Sequence, residues 1–451
     1  MENTRRLVAY SRSLTFDRLD TEAGLAAKSI VLDTLGALFA AWPTRHPAPR
    51  ILAGYVKDLG GAPECTVLGA GFKAPAPLAA LVNGLMGYAA DIEGAGLGRP
   101  PVHAAALCVP TALVMAERQA ASGRAFITAL ALGYDVIDRV SKASVTPHSY
   151  PHSFHPSAVF GTFAAAAIAG HLIGLDEERF ANAYGLAGNI AGGLIAWVND
   201  PTEHSRPFGI GLAAHNGIMA ALLASRGFGG PLGVFDGLKF NIFDAYSGAM
   251  NLGEIARDLG TDFAISRHQG FKKYPCCNDI HSGLDALLKI LAEHPLAPAQ
   301  IASITHYVKE DRRPVIDNNP LRSHNAQYIM AVAAVERRVR WNDIVQDRRC
   351  EPDIGRICEH TSLLGAAELD ESPGYEPAIV EVRTADAQVF VERVNAARGH
   401  SSNPMTADEL RAKFAGFAEP VVGTARAKRI IKAVDELETL PDISQLIELL
   451  A

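Results

Sequence analysis

Along the first 265 or so residues, apolar side chains return at three- and four-residue steps. Phe126, Ile127, Leu130, Tyr134 and Ile137 form one such stripe, the mark of a helix with one face turned to a core. The same pattern runs through Leu25–Ala40, Leu78–Ala90, Val109–Ala120 and Ala213–Ala224. Between 156 and 225 the stripes give way to segments rich in Ala and Gly. Small side chains let helix axes approach closely, so these segments predict central helices buried on all sides. Beyond Gly270 the period changes. Ile301–Glu310 and Ala378–Thr384 predict strands, and Ala385-Asp386-Ala387 predicts a turn into Val389, Phe390 and Val391, making a hairpin. Helical patterns at His281–Glu293 and around Ala326–Val335 lie between these strands. Thr406-Ala407-Asp408-Glu409 is a capping box, followed by Leu410, Phe414 and Phe417 on one face, and residues 427–450 continue as a helical stretch. The pattern predicts a mainly α protein. A large all-helical domain takes residues 1–267 and 403–451, and a smaller α+β domain takes 268–402.

Composition narrows the class without changing that picture. A chain of 451 residues is too long for one ordinary core. Its 48% apolar and 20% charged residues are those of a globular protein, and a formal charge of −7 gives no electrostatic reason for a nucleic-acid partner. Six cysteines without CxxC spacing predict reduced thiols rather than a disulfide scaffold. The first residues hold no apolar run of the signal-peptide kind. Pro156–Leu175 has the length of a membrane span but is built from Ala and Gly rather than Leu, Ile and Val, which predicts a core helix. A cytoplasmic protein is expected.

Candidate chemistry sits in five polar sets. No phosphate loop, G-x-S-x-G elbow, H-E-x-x-H or EF-hand loop occurs. Asp91 and Glu93 close an apolar helix and enter a loop rich in Gly and Pro, with His103 at its far end. Polar groups at the mouth of buried helices are costly unless solvated or paired, so they often line a cavity, although a solvated helix end fits as well. Thr146 to His155 carries three histidines, of which His155 precedes Pro156 at a helix start. A metal site is an alternative there, but no carboxylate or thiol accompanies the imidazoles. Arg206 stands near another helix start, where a guanidinium can clamp a carboxylate. Lys272, Lys273, Tyr274, Cys276 and Cys277 mark the apparent junction, and Ser323-His324-Asn325-Ala326-Gln327-Tyr328 lies inside the second domain. Each set alone also fits a surface group. Together they supply the acids, bases and cations that an anionic organic acid needs.

Several stretches resemble the MmgE/PrpD family in order and spacing. They are Pro63-Glu-Cys-Thr-Val-Leu-Gly, Leu81-Val-Asn-Gly84 leading to Asp91, and His155-Pro with Gly161 and its Ala-rich helix. Lys272-Lys-Tyr-Pro with His281, Gln327-Tyr-Ile-Met-Ala, and Asn403-Pro-Met-Thr complete the set. The resemblance implies a large helical domain with the α+β part as a lid, an active site between them, and a homodimer. It implies no required redox or organic cofactor, and no metal site is expected. It implies proton transfer at a carbon next to a carboxylate, with Asp91, His103, His155, Lys272 and Tyr328 as catalytic residues and Arg206 and Lys272 holding substrate carboxylates. The implied substrate is a small di- or tricarboxylic acid. A dehydratase of the 2-methylcitrate type is the first expectation. An epimerase of an iminodisuccinate-like dicarboxylate and a cis-aconitate-type decarboxylase are alternatives, and a metal-dependent hydrolase or an inactive binding protein are remote ones. Two departures stand out. The family's Asp-Phe-Asp-Asp-Thr reads Asp91-Ile-Glu-Gly-Ala95, and its Lys before Pro is Arg206.

Overall fold

The computed structural model describes residues 2–94, 102–146, 151–237, 239–267, 270–371 and 376–451. Its core is a set of long helices: α1 (Thr21–Ala40), α2 (Ala76–Ala89), α3 (Ala104–Arg118), α4 (Gly123–Ala143), α5 (Pro156–Leu172) and α6 (Ser205–Ser225). Capping residues set several starts. The Asp20 side chain accepts from the Ala23 N–H, and Ser122 accepts from Ala125. Proline at the first position starts α5. Every residue of α5 from Pro156 to Gly170 is buried, as its uniform small-residue composition predicts. Helix α6 lies against both α2 and α5. A Cβ on Gly211 would sit 2.2 Å from the Leu81 carbonyl oxygen, and one on Gly217 would sit 2.4 Å from the Ala165 Cβ. The glycines are therefore a condition of the close approach. Helices α1 and α6 are long and apolar enough to cross a membrane, but α1 is 72% buried inside the molecule and α6 half buried.

The helical part is not wholly helical. Two three-residue strands, β1 (Cys65–Val67) and β2 (Phe72–Ala74), pair antiparallel between the helices. Strands this short carry too few alternations to register in the sequence pattern.

The second part is built on a four-stranded sheet. β3 (Ile301–Val308) pairs in parallel with β4 (Thr361–Gly365) and antiparallel with β5 (Ala378–Thr384). β5 continues into β6 (Val389–Val394), giving the order β4-β3-β5-β6. The expected hairpin is β5–β6, while β4 was not foreseen. Ala378, Val380, Val382 and Thr384 face inward on β5, and α7 (Asn278–Glu293) covers that face, with α8 (Ala326–Glu336) packed against α7. The apolar cluster here also takes in Ala37, Ala40, Leu85, Ala89 and Ile92, so the C-terminal ends of α1 and α2 dock into it.

The chain then returns to the first core. α9 (Ala407–Val422) packs on α1 and opens with the expected capping box: Thr406 Oγ1 accepts from the Glu409 N–H and Glu409 Oε2 from the Thr406 N–H. Residues 427–450 are not one helix. They divide into the end of α10 (Thr424–Asp435), a 3₁₀ turn at Leu437–Thr439, and α11 (Ser444–Leu450), with Pro441 in the break.

Candidate active site

The site grows from the end of α2. Past Ala89 the backbone turns sharply, and Asp91 takes a φ of 52°, a left-handed value that a residue with a Cβ adopts only when its surroundings hold it. Gly94 forms an antiparallel bridge with Phe271, which lays this loop beside the segment carrying Lys272. The Lys272 Nζ donates to Asp91 Oδ1 at 2.5 Å and to Glu93 Oε1 at 3.1 Å. Arg206, in the first turn of α6, donates to the same Asp91 oxygen at 3.4 Å, and its guanidinium lies 4.4 Å from the centre of the Tyr88 ring. All four charged groups are buried. Behind them Lys413 of α9 donates to the Ile92 carbonyl at 2.7 Å and to Asp33 at 2.5 Å. The result is a buried row of alternating charges that pins both sides of Ile92.

Burial alone would push the Asp91 pKa up, but Arg206 and Lys272 outweigh it and hold the carboxyl well below its usual range. Glu93 is held down in the same way, burial being outweighed by Lys272 and His103. Lys272 is correspondingly raised: burial lowers it, and Asp91 and Glu93 more than reverse that. Both carboxylates and the ammonium are thus ionised at neutral pH. Asp33, buried against Lys413, is pushed up to about 6 by burial.

Three imidazoles surround this row. His103 caps α3, its N–H donating to Ser157 Oγ at 2.9 Å, and its Nδ1 stands 3.2 Å from Glu93 Oε1. A carboxylate behind one ring nitrogen orients the ring and stabilises the imidazolium that forms when the other nitrogen takes a proton. His155 caps α5, its N–H donating to Gly193 O at 2.9 Å, and its ring packs between Trp197 and Tyr88. His324 Nδ1 lies 2.9 Å from Ser323 Oγ and 3.8 Å from Asp91 Oδ2. Ser323 in turn donates to buried Glu203. Burial lowers His155 and His324 to about 3 each, so both are neutral rings at physiological pH.

These groups line a narrow cleft. One wall carries Tyr88, Asp91, His103, His155 and Trp197, with Lys272 at its edge. The sheet-containing part contributes Asp279, Arg312, His324 and Glu376 to the lining. Asp91, His103, His155 and Lys272 therefore come together as the family resemblance implies. Arg206 does not reach the cleft surface; it stands behind Asp91, spent on that carboxylate and the Ala89 carbonyl. The guanidinium that does line the cleft is that of Arg312, which sequence reading missed.

Tyr328 is the clear misplacement. It lies in the first turn of α8 with its ring in the sheet-side core, and its hydroxyl bonds the carbonyls of Asp343 at 2.5 Å and Gln346 at 3.0 Å. His324, in the turn before the helix, takes the place at the cleft. The signal was available in the Ser323-His324-Asn325 set, because polar residues just outside a helix start face out of its core side. Asp279, Arg312 and Glu376 lie far apart in sequence and share no spacing that could have joined them. The histidine loop does not gather a metal site. His152 is exposed, with Nδ1 3.1 Å from Ala245 O, while His155 turns inward and His148 lies outside the described residues. Among the described residues no group of three His, Cys, Asp or Glu side chains is placed to hold a metal. Ala95, where the family has threonine, also lies outside the described residues.

A mainly helical chain that closes a sheet-bearing part over lysine-bridged carboxylates and neutral imidazoles has the makings of an acid–base enzyme for small anions. The comparison with known proteins gives the family. The MmgE/PrpD N-terminal domain matches residues 5–254 and the MmgE/PrpD C-terminal domain residues 274–439, and the chain belongs to the MmgE/PrpD family. It is 27% identical to human cis-aconitate decarboxylase over 94% of this chain and 89% of that protein. It is 26% identical to a cis-aconitate decarboxylase-like protein of Aspergillus oryzae, over 94% of this chain and 92% of that one. Against the cis-aconitate decarboxylase of Aspergillus terreus the identity is 24%, over 99% and 95%. These relatives are lyases.

Proposed function

We propose that the chain is a cofactor-independent lyase of the cytoplasm, working as a homodimer. It removes the proton next to a carboxylate of a small di- or tricarboxylic acid and expels hydroxide from the neighbouring carbon, in the manner of a 2-methylcitrate dehydratase. The observation that carries this reading is the His103–Glu93 pair at 3.2 Å on the cleft wall. An imidazole with a carboxylate behind one ring nitrogen can take a proton at the other and so act as a general base. Asp91, with its proton affinity depressed by two cations, is a poor base, and its part is to fix Lys272. Lys272 and Arg312 hold substrate carboxylates, and the positive charge of Lys272 offsets the charge that develops as the proton leaves. His155 and His324, kept neutral by burial, position the substrate by hydrogen bonds.

Decarboxylation is the second reading, and it is favoured by the names of the relatives at 24–27% identity. Returning the proton to the opposite face would instead give an epimerase. One experiment separates the three: proton NMR in deuterium oxide with 2-methylcitrate, citrate, cis-aconitate and iminodisuccinate. Formation of an unsaturated acid with loss of water supports the dehydratase. Release of carbon dioxide gives the decarboxylase, and deuterium incorporation with inversion and no loss of atoms gives the epimerase. No exchange and no product with any of these acids would remove the proton-abstraction reading.

A further inference from the structure

We propose that the outward face of α6 docks a second copy of this chain, helix against antiparallel helix about a two-fold axis near His215. The inference rests on the homodimer reading and gives that dimer a surface.

Helix α6 has two faces. Arg206, Ile210, Ala213, Gly217, Ala220 and Ala224 turn into the core, where the helix lies against α2 and α5. Phe208, Leu212, His215, Met219 and Leu222 follow at steps of three and four residues and share the other face. Phe208 is 42% exposed and Leu212 39%, and the other three are partly exposed. From Pro207 to Ser225 there is no Asp, Glu, Lys or Arg, and His215 is the one titratable side chain. The helix is therefore apolar on every side while only half of it is buried. A helix on the surface of a monomer turns charged groups to water, and one that is apolar all round belongs inside. Helix α1 is built in the same way, but α9 packs on it and it is 72% buried. The outer face of α6 stays open.

Symmetry names the occupant. His215 is the middle residue of the 21 in α6. Antiparallel pairing about it sets Phe208 against Leu222 of the partner subunit, and Leu212 against Met219 of the partner subunit. Apolar meets apolar along the whole length, and no like charges face each other, as a self-complementary contact requires. The size also fits. Each partner of a stable pair buries roughly 800 Å², a patch about 30 Å across, and a helix of this length extends about 30 Å. Exposed apolar groups prolong the face at both ends. Leu194 adjoins the start of α6, where Gly193 and Gly209 both lie against Ala158. Phe228 folds back on its end, its N–H donating to the Leu223 carbonyl at 3.2 Å. A membrane surface fits less well, because an interfacial helix keeps a basic face in water, and the far side of α6 lies in the core. Arg206, behind Asp91, opens the same helix, so the docked copy braces the helical wall of the cleft from outside.

The test is sedimentation of the full-length chain at micromolar concentration. Wild type should run at twice the 48.0 kDa of one chain. Leu212→Glu places a carboxylate in each half of an apolar contact and should raise the dimer dissociation constant by roughly 10²-fold or more, giving single chains with a native circular-dichroism spectrum. A second variant decides the matter even where Leu212→Glu fails to fold. His215→Cys, in a Cys350→Ser background that removes the exposed thiol, should cross-link to its own copy on mild oxidation, because only a residue at the axis faces itself. A dimeric wild type with Leu212→Glu still dimeric and no cross-link through His215→Cys would overturn this face and leave the homodimer standing. A wild type that runs as a single chain would overturn both, and its flotation with vesicles of phosphatidylcholine and phosphatidylglycerol would give the face to a membrane instead.

Discussion

The two walls of the cleft solve opposite electrostatic problems. On the helical wall every charge is matched: Lys272 bridges Asp91 and Glu93, Arg206 backs Asp91, and Lys413 with Asp33 holds the loop from behind. On the sheet-side wall acids outnumber cations, and an oxygen of Asp279 is left without a hydrogen bond. The matched wall offsets the desolvation of each buried charge with an opposite one. The sheet-side wall instead leaves a buried carboxylate oxygen open to a donor on a bound ligand.

That contrast can be broken most severely at His103. Replacing it by Ala should reduce turnover by roughly 10²–10⁴-fold with the fold intact, and should also abolish α-proton exchange. Exchange surviving in a folded His103→Ala enzyme would move the base elsewhere. The next largest effect should come from Lys272→Met. It leaves two buried carboxylates without their shared cation, and breaking such a pair costs about 3–5 kcal/mol of stability. Denaturant unfolding would measure it, and a loss below about 1 kcal/mol would mean that Asp91 and Glu93 do not depend on the bridge.

Acid should loosen the molecule through its buried rings. Burial lowers His46, His281 and His306 to about 4, and His155 and His324 to about 3. Unfolded, each takes up a proton near 6.5. Below that pH the unfolded chain binds more protons, so stability is complete above about 6.5 and is lost as the pH falls towards 4. Asp33 and Asp135, raised to about 6 mainly by burial, work the other way, as do Glu203, Asp279 and Glu376, which burial also raises; these five acids are outnumbered by the buried histidines once His171 and His400, also lowered by burial, are added. Thermal midpoints from pH 8 to 4.5 should therefore decline, and a flat profile would contradict neutral buried rings.

The smallest effect sharpens the placement of the sheet-side residues. Tyr328→Phe should leave kcat/KM within about threefold and cost about 0.5–1.5 kcal/mol of stability, the worth of its hydroxyl's bonds to carbonyl oxygens. His324→Ala, at the cleft, should affect activity more than Tyr328→Phe does. The reverse order would return Tyr328 to the site.

By itself the sequence determined the elements and most of the helical wall. Periodicity is a local property, so α1–α6, the β5–β6 hairpin and the α9 cap could be read from it. Gly211 and Gly217 announced close packing because only a missing side chain permits it. Asp91, His103, His155 and Lys272 could be named only through the resemblance of their motifs to the MmgE/PrpD family, because each polar set alone also fits a surface group. The tertiary structure decided what those residues do. It paired Arg206 with Asp91 instead of with solvent, and it turned Tyr328 into a core while leaving His324 at the cleft. It also brought Asp279, Arg312 and Glu376 to one wall from three separate segments. No local pattern records such a meeting, because the free energy that makes it depends on distances between segments that only packing sets.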